Sequence, residues 1–306
     1  MKIVALAGGV GGAKLSDGLA QILNSKELTI IVNTGDDFEH LGLCISPDLD
    51  TVCYTLAGLS NPDTGWGRRE DTFNVLDYLQ KIGGPSWFRL GDRDLATHIE
   101  RTRRLKAGQP LSQITRDFCH TWKVQPPILP MSDQSVRTIV ETVEDGALAF
   151  QEYFVHRKCE PRVSGFRFAG VESAHPAPGM MDAIKQADAI VLCPSNPWVS
   201  IDPILALSGI RSALADKCVV AVSPIINGQT IKGPAAKMYA EMGIQPSALA
   251  VTRHYGNLLT GFIIDSCDSN LSREMTTPIF ITNTIMKTDD DRCHLAEDVL
   301  NFIQNL

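Results

Sequence analysis

The sequence predicts an α/β protein, a doubly wound Rossmann-like parallel sheet with an inserted helix-rich lobe and a β-hairpin. Three observations carry that prediction. Short apolar runs alternate with amphipathic stretches through the first third of the chain and again after about residue 185. The first run, Lys2–Ala7, opens into the glycine loop Gly8-Gly9-Val10-Gly11-Gly12-Ala13-Lys14. The second, Leu28–Val32, opens one βαβ unit later into Asn33-Thr34-Gly35-Asp36-Asp37.

The glycine loop has the composition of a phosphate cradle. Glycines let backbone amides close on a phosphate, and a helix starting near Ala13 points its positive end at the same charge. Neither common nucleotide fingerprint is met, because Lys14 follows Ala13 and precedes Leu15, and Asn33 ends the second strand where a dinucleotide-binding fold carries an acid. The facing acidic loop, Asp36 and Asp37, is suited to Mg²⁺ held against phosphate oxygens. Next comes Ile45-Ser46-Pro47-Asp48-Leu49-Asp50-Thr51-Val52, a loop entering a helix with Asp48 as a candidate N-cap. Asp48 and Asp50 would diverge on a helix, and in a turn would converge on the same cation as Asp36 or Asp37.

Residues 71–124 read as helices over Asp71–Ile82, Asp94–Ala107 and Leu111–Trp122, each with apolar residues at three- and four-residue spacing. Arg137–Val143 and Ala147–His156, joined by Glu144-Asp145-Gly146, read as a hairpin. Strands are expected again at Ala189–Cys193, Cys218–Val222, Ala248–Thr252, Gly261–Asp265 and Ile279–Thr282. The expected organisation is a single domain over 1–306, with about 65–175 as a lobe over the sheet's carboxyl edge. Ligands of such sheets bind beyond the carboxyl ends of strands where the strand order reverses, and most of the polar motifs fall at strand ends. Pro194-Ser195-Asn196-Pro197 offers hydroxyl and amide groups, and Ser223–Gly228, containing Asn227, together with Lys232-Gly233 offers backbone amides and a cation. With the glycine loop these form one expected nucleotide site. Trp87-Phe88-Arg89-Leu90-Gly91-Asp92-Arg93-Asp94 sets an arginine among aromatic residues, suited to a flat heterocycle. His98 has no partner evident from sequence.

With 306 residues, 44% of them hydrophobic, the chain can bury a full core. A formal net charge of −7 argues against a nucleic-acid surface, so a phosphate ligand needs a local site. The eight cysteines are scattered without metal-ligand spacing and read as reduced residues of a cytoplasmic protein. No run approaches membrane-spanning length.

At these residues the chain resembles the 2-phospho-L-lactate transferase family of coenzyme F420 biosynthesis. The resemblance rests on Gly8–Lys14, Asn33–Asp37, Pro47–Thr51, Arg89–Asp94, Met131-Ser132-Asp133, Pro194–Pro197 and Ser223–Gly233, in the family's order. It implies transfer of a phospholactyl group from lactyl-2-diphospho-5′-guanosine to the terminal ribityl hydroxyl of 7,8-didemethyl-8-hydroxy-5-deazariboflavin (Fo), giving GMP and coenzyme F420-0 with Mg²⁺ required. Asp50 and Arg89 would contact Fo, with Asp50 and Asp48 catalytic. Gly9, Val10, Gly11, Gly12, Lys14, Ser195, Asn196 and Asn227 would hold the guanine nucleotide, and Asp36, Asp37, Asp48 and Asp50 the metal. A homodimer is expected of the family, and Leu306 leaves no room for a second catalytic domain. Two alternatives stand beside this reading. One is the same transferase with a phosphoenolpyruvyl donor. The other is a gluconeogenesis-factor-like regulator that binds nucleotide sugars, whose Gly-Gly-Ser-Ser-Gly run is Phe38-Glu39-His40-Leu41-Gly42 here.

Overall fold

The computed structural model describes all 306 residues. In chain order its main sheet uses β1 (Ile3–Ala7), β2 (Leu28–Val32), β3 (Ile128–Pro130), β4 (Ala189–Leu192), β5 (Cys218–Val222), β6 (Gly261–Asp265) and β7 (Ile279–Thr282). The seven strands are all parallel and lie in the order β7-β6-β5-β4-β1-β2-β3. From β1 the chain runs outward to β2 and β3, then returns to the other side of β1 to lay down β4. The reversal point is therefore between β1 and β4, where such sheets bind ligands.

Both faces of the sheet are covered, which is why its strands read as continuous apolar runs. Successive side chains point to opposite faces. Ile3, Ala5, Ala7, Ile30, Val32 and Val191 pack with helix α1 (Gly9–Ile22), helix α2 (Pro47–Leu56) and the C-terminal helix Asp289–Gln304. Val4, Leu6, Ile31, Ile190 and Leu192 pack on the other side with Met180, Ile184, Ile204 and Val251.

Between β2 and β3 lie the hairpin Phe38–His40/Leu43–Ile45, then α2, α3 (Asn74–Lys81), α4 (Asp92–Lys106) and α5 (Leu111–Thr121). Between β3 and β4 lies an antiparallel sheet of Arg137–Thr142, Gly146–Ala149 and Val163–Ala169. The 65–175 stretch is thus interrupted by the edge strand Ile128–Pro130, too short to announce itself by pattern.

Two other elements differ from expectation. Ala248–Thr252 is no strand: it opens the helix Ala248–Tyr255, whose N-cap Ser247 accepts the Ala250 N–H at 3.0 Å. A short apolar run rich in alanine fits either element by period, and the serine cap decides it. The second hairpin strand ends at Ala149, and Glu152–His156 forms a wide helical turn that brings Phe150, Gln151 and Phe154 to the cavity described below.

Candidate active site

Register sets the site. Ala7 pairs with Val32, and Leu6 with Leu192, so the loops after β1, β2 and β4 leave the sheet at one level. The glycine loop and the β4 loop are bonded directly. Ser195 Oγ accepts the Gly8 N–H at 3.1 Å and donates to the Gly8 carbonyl at 2.8 Å. Gly9 has φ +61°, and a Cβ on Gly11 would lie 2.3 Å from the Pro194 carbonyl oxygen, so this approach needs glycine. The first turn of α1 has no side-chain cap, which leaves backbone amides for an anion.

A cavity of about 720 Å³ opens at this edge. Gly8 to Gly11 line it together with Asp36, Asp48, Asp50, Ser195, Asn196 and Arg89, and also with Asp94, His98, Ser200 and Lys232. Asp37, Gly12, Lys14 and Asn227 lie outside its lining. Lys14 donates to the Met286 carbonyl, and Asn227 is exposed with its N–H on Asp268. A Cβ on Gly12 would sit 2.5 Å from Ser195 Oγ, so that glycine serves the contact between the two loops.

The carboxylates form two groups rather than one. Asp48 and Asp50 both fall in the first turn of α2, whose N-cap position is Ser46 rather than Asp48, and they diverge. Asn33 Nδ2 reaches Asp48 at 2.9 Å, Asp36 at 3.4 Å and the Val199 carbonyl at 3.1 Å. Asp48 also accepts from Ser200 at 3.2 Å and from the Gly9 N–H, and Gln151 donates to Asp36 at 3.1 Å. Burial pushes the Asp48 carboxyl up to about 6 against the hydrogen bonds that favour its charge. Burial, then the charges of Asp48 and Asp37, holds Asp36 well above the usual carboxylate range. Burial raises Asp37 to about 7, opposed by Arg137 and by the Ser46 hydroxyl, which donates at 2.8 Å. No lysine or arginine pairs with Asp36 or Asp48.

Asp50 faces α4. Arg101 forks onto both of its oxygens, Nη1 to Oδ2 at 3.0 Å and Nη2 to Oδ1. His98 Nδ1 lies 3.6 Å from Asp50 and its Nε2 3.3 Å from Asp94, which also accepts the Tyr54 hydroxyl at 2.8 Å. Burial opposes ionisation of Asp94, yet His98, Tyr54 and Arg101 hold its carboxyl below the usual value. Asp50, Asp94 and His98 present ligand-capable atoms within 4.8 Å of one another, with Arg101 already among them.

The buried residues of α4 are Asp94, Thr97, His98, Arg101 and Thr102, all polar, while Ile99 is about half exposed at 51%. That inverts the apolar stripe expected for this helix. The spacing Asp94, His98, Arg101 (i, i+4, i+7) is itself a one-face pattern from which the network was readable. Asn33, Tyr54 and Ser200 left no such trace in the sequence.

An aromatic wall completes the cavity. Phe38 of the short hairpin packs edge-on against Phe88 at 4.8 Å, His40 packs against Trp87 at 5.0 Å, and Arg89 lies 4.2 Å over the Phe73 ring. The hairpin turn, Leu41-Gly42, has φ +54° and +72°. Arg89, Phe88, Trp66, Phe150 and Phe154 line the cavity. The site therefore joins an amide cradle, buried carboxylates and an aromatic surface with an arginine, enough to align a phosphate ester with a flat acceptor.

The family model described as 2-phospho-L-lactate transferase CofD matches residues 3–298. A Streptomyces griseus protein named phosphoenolpyruvate transferase is 47% identical over 90% of this chain and 89% of its own. The Methanocaldococcus jannaschii protein named 2-phospho-L-lactate transferase is 38% identical over 99% of each chain. A solved upf0052-family protein from Bacillus halodurans shares the fold at a TM-score of 0.65 and 15% identity, over 98% of each chain. The chain belongs to the 2-phospho-L-lactate transferase CofD family.

Proposed function

We propose that this protein is the transferase of coenzyme F420 biosynthesis that moves a phospholactyl group from lactyl-2-diphospho-5′-guanosine to the terminal ribityl hydroxyl of Fo, releasing GMP. The observation that carries this reading is one cavity shared by the glycine cradle, the carboxylates and the Arg89 aromatic wall. The names of similar proteins favour a second reading of the donor. Relatives from Streptomyces griseus and Streptomyces coelicolor, 47% and 42% identical, are both named phosphoenolpyruvate transferase. The two donors differ only in the oxidation state of a three-carbon unit. Mass spectrometry after incubation with Fo and each guanosine donor tests both, and no F420-type product from either refutes the reading.

The cradle amides of Val10 and Gly11, with Ser195 and Asn196, hold the nucleotide, while Arg89 and the aromatic wall orient the deazaflavin. Asp50 accepts a hydrogen bond from the attacking hydroxyl; with both oxygens held by Arg101 it positions the nucleophile rather than keeping its proton. Catalysis then consists of in-line alignment and charge stabilisation. Asp36 and Asp48 fit Mg²⁺. They are hard oxygen donors, buried side by side at one Asn33 amide and raised in pKa, with no cationic partner. In the Asp50, Asp94 and His98 group, Arg101 already supplies the counter-charge. A bound Mg²⁺ supplies charge neutralisation at the phosphate oxygens. The reading includes a cytoplasmic location, in keeping with eight free cysteines, and a homodimer, checked by light scattering.

A further inference from the structure

The four carboxylates on the cavity wall, Asp36, Asp48, Asp50 and Asp94, face only two lysine or arginine side chains there, Arg89 and Lys232. Arg89 lies over Phe73 among the aromatic residues. Lys232 lies at the cradle. Its Nζ is 3.3 Å from the point where a Gly65 Cβ would stand, and that point is 2.7 Å from Val10 Cγ1 in the first turn of α1. The Lys232 charge also helps to lower the pKa of Lys14, after burial and Arg292, which places it beside the same turn.

The other cations nearby are engaged. Lys14 is bonded to the Met286 carbonyl, Arg292 to Asp17 and Asp289, and Arg101 to Asp50. Arg68 is stacked at 4.9 Å over the Tyr54 ring. Lys232 is exposed, and its partner is one neutral backbone oxygen, the carbonyl of Thr64. A phosphate oxygen outcompetes a neutral carbonyl for an ammonium, because it adds a full opposite charge to the hydrogen bond. Lys232 is therefore poised to exchange Thr64 for an anion at the cradle.

We propose that Lys232 binds the nucleotide phosphate and carries the charge that develops on it as it leaves. The assignment rests on the transferase reading given above. In that reaction an O–P bond forms from the acceptor hydroxyl to the phosphorus bearing the three-carbon acid, and the P–O bond to GMP breaks. The hydroxyl proton passes to solvent or a cavity carboxylate. The departing oxygen gains negative charge, which Lys232, with the α1 amides, stabilises. Thr64 is close to Trp66, which also lines the cavity, so release of its carbonyl by Lys232 ties nucleotide binding to that loop.

The experiment compares wild type with Lys232→Ala and Lys232→Arg, using GDP titration calorimetry, Fo fluorescence titration and single-turnover transfer. Lys232→Ala is expected to weaken GDP binding roughly tenfold or more, flatten its salt dependence and slow transfer at saturating donor by roughly 100-fold. Fo affinity and thermal stability should hold, because the residue is exposed, and Lys232→Arg should recover most GDP binding. GDP affinity and transfer unchanged in Lys232→Ala overturn the assignment. If wild type forms no F420-type product while Lys232→Ala still loses GDP, the transferase reading falls and the phosphate-binding role stands.

Discussion

Arg101, 1% exposed and outside the cavity, grips both carboxylate oxygens of Asp50, which lines it. Burial works against the Arg101 charge, but Asp50 outweighs it and raises its pKa. Arg101→Met leaves the Asp50 carboxylate buried without its counter-charge. Removing one partner of a buried pair costs about 3–5 kcal/mol, or roughly 5–8 °C in Tm for a chain of this size. Thermal unfolding should show that loss, and Asp50→Leu combined with Arg101→Met should recover much of it. A single variant as stable as wild type would mean that the pair is not the main restraint on α4.

Asp50→Asn keeps the shape and one acceptor for Arg101 while removing the charge at the hydroxyl. Transfer should fall by about 10²–10⁴, the range for groups acting on the reacting proton or its geometry. GDP affinity should stay within about twofold, because the cradle is built from other residues. Near-normal turnover in a kinetic assay would take Asp50 out of the reaction.

Arg89 lies over Phe73 and reaches the cavity beside Phe88. A guanidinium against a flat ring contributes about 0.5–2 kcal/mol, more where the site excludes water. Arg89→Ala should therefore weaken Fo binding by roughly 2- to 30-fold in a fluorescence titration, with GDP affinity unchanged. An unaltered Fo dissociation constant would place the deazaflavin on another wall.

The sheet and the two loops that close the site were legible in the sequence because both faces of the sheet are covered. Lys2–Ala7 and Leu28–Val32 therefore read as uninterrupted apolar runs, and glycine must stand where Gly11 meets Pro194. Ile128–Pro130 escaped because three residues carry no period. Within the site, Arg89 and the carboxylates were visible as residue types, but not the split between them. Whether Asp48 and Asp50 converge or diverge depends on α2 beginning at Pro47. The Arg101 fork joins residues 51 positions apart, a distance that no local pattern spans. Of the two lysines expected at the nucleotide site, Lys14 is turned onto the Met286 carbonyl, and Lys232, from the loop after β5, lines the cavity.

Asp48 and Asp37 give the protein a definite pH response. Their carboxyls, about 6 and about 7 in the folded chain, lie above the unfolded value near 3.9. A folded pKa raised by burial means stability that is fully present below the unfolded pKa and lost as pH rises through about 6 to 7. In EDTA, Tm should therefore decline from about pH 4 to about pH 7. The Mg²⁺ proposed at Asp36 and Asp48 would bind their ionised forms, so adding it should raise Tm at the alkaline end and do little near pH 5, where Asp48 carries its proton. Asp48→Asn should flatten the EDTA profile and abolish the Mg²⁺ increment, since it removes both the titration and one ligand. Scanning fluorimetry across that range reads all three effects. A Tm insensitive to Mg²⁺ at every pH would mean that Asp36 and Asp48 share a proton instead of a cation, the other way two adjacent buried carboxyls can coexist.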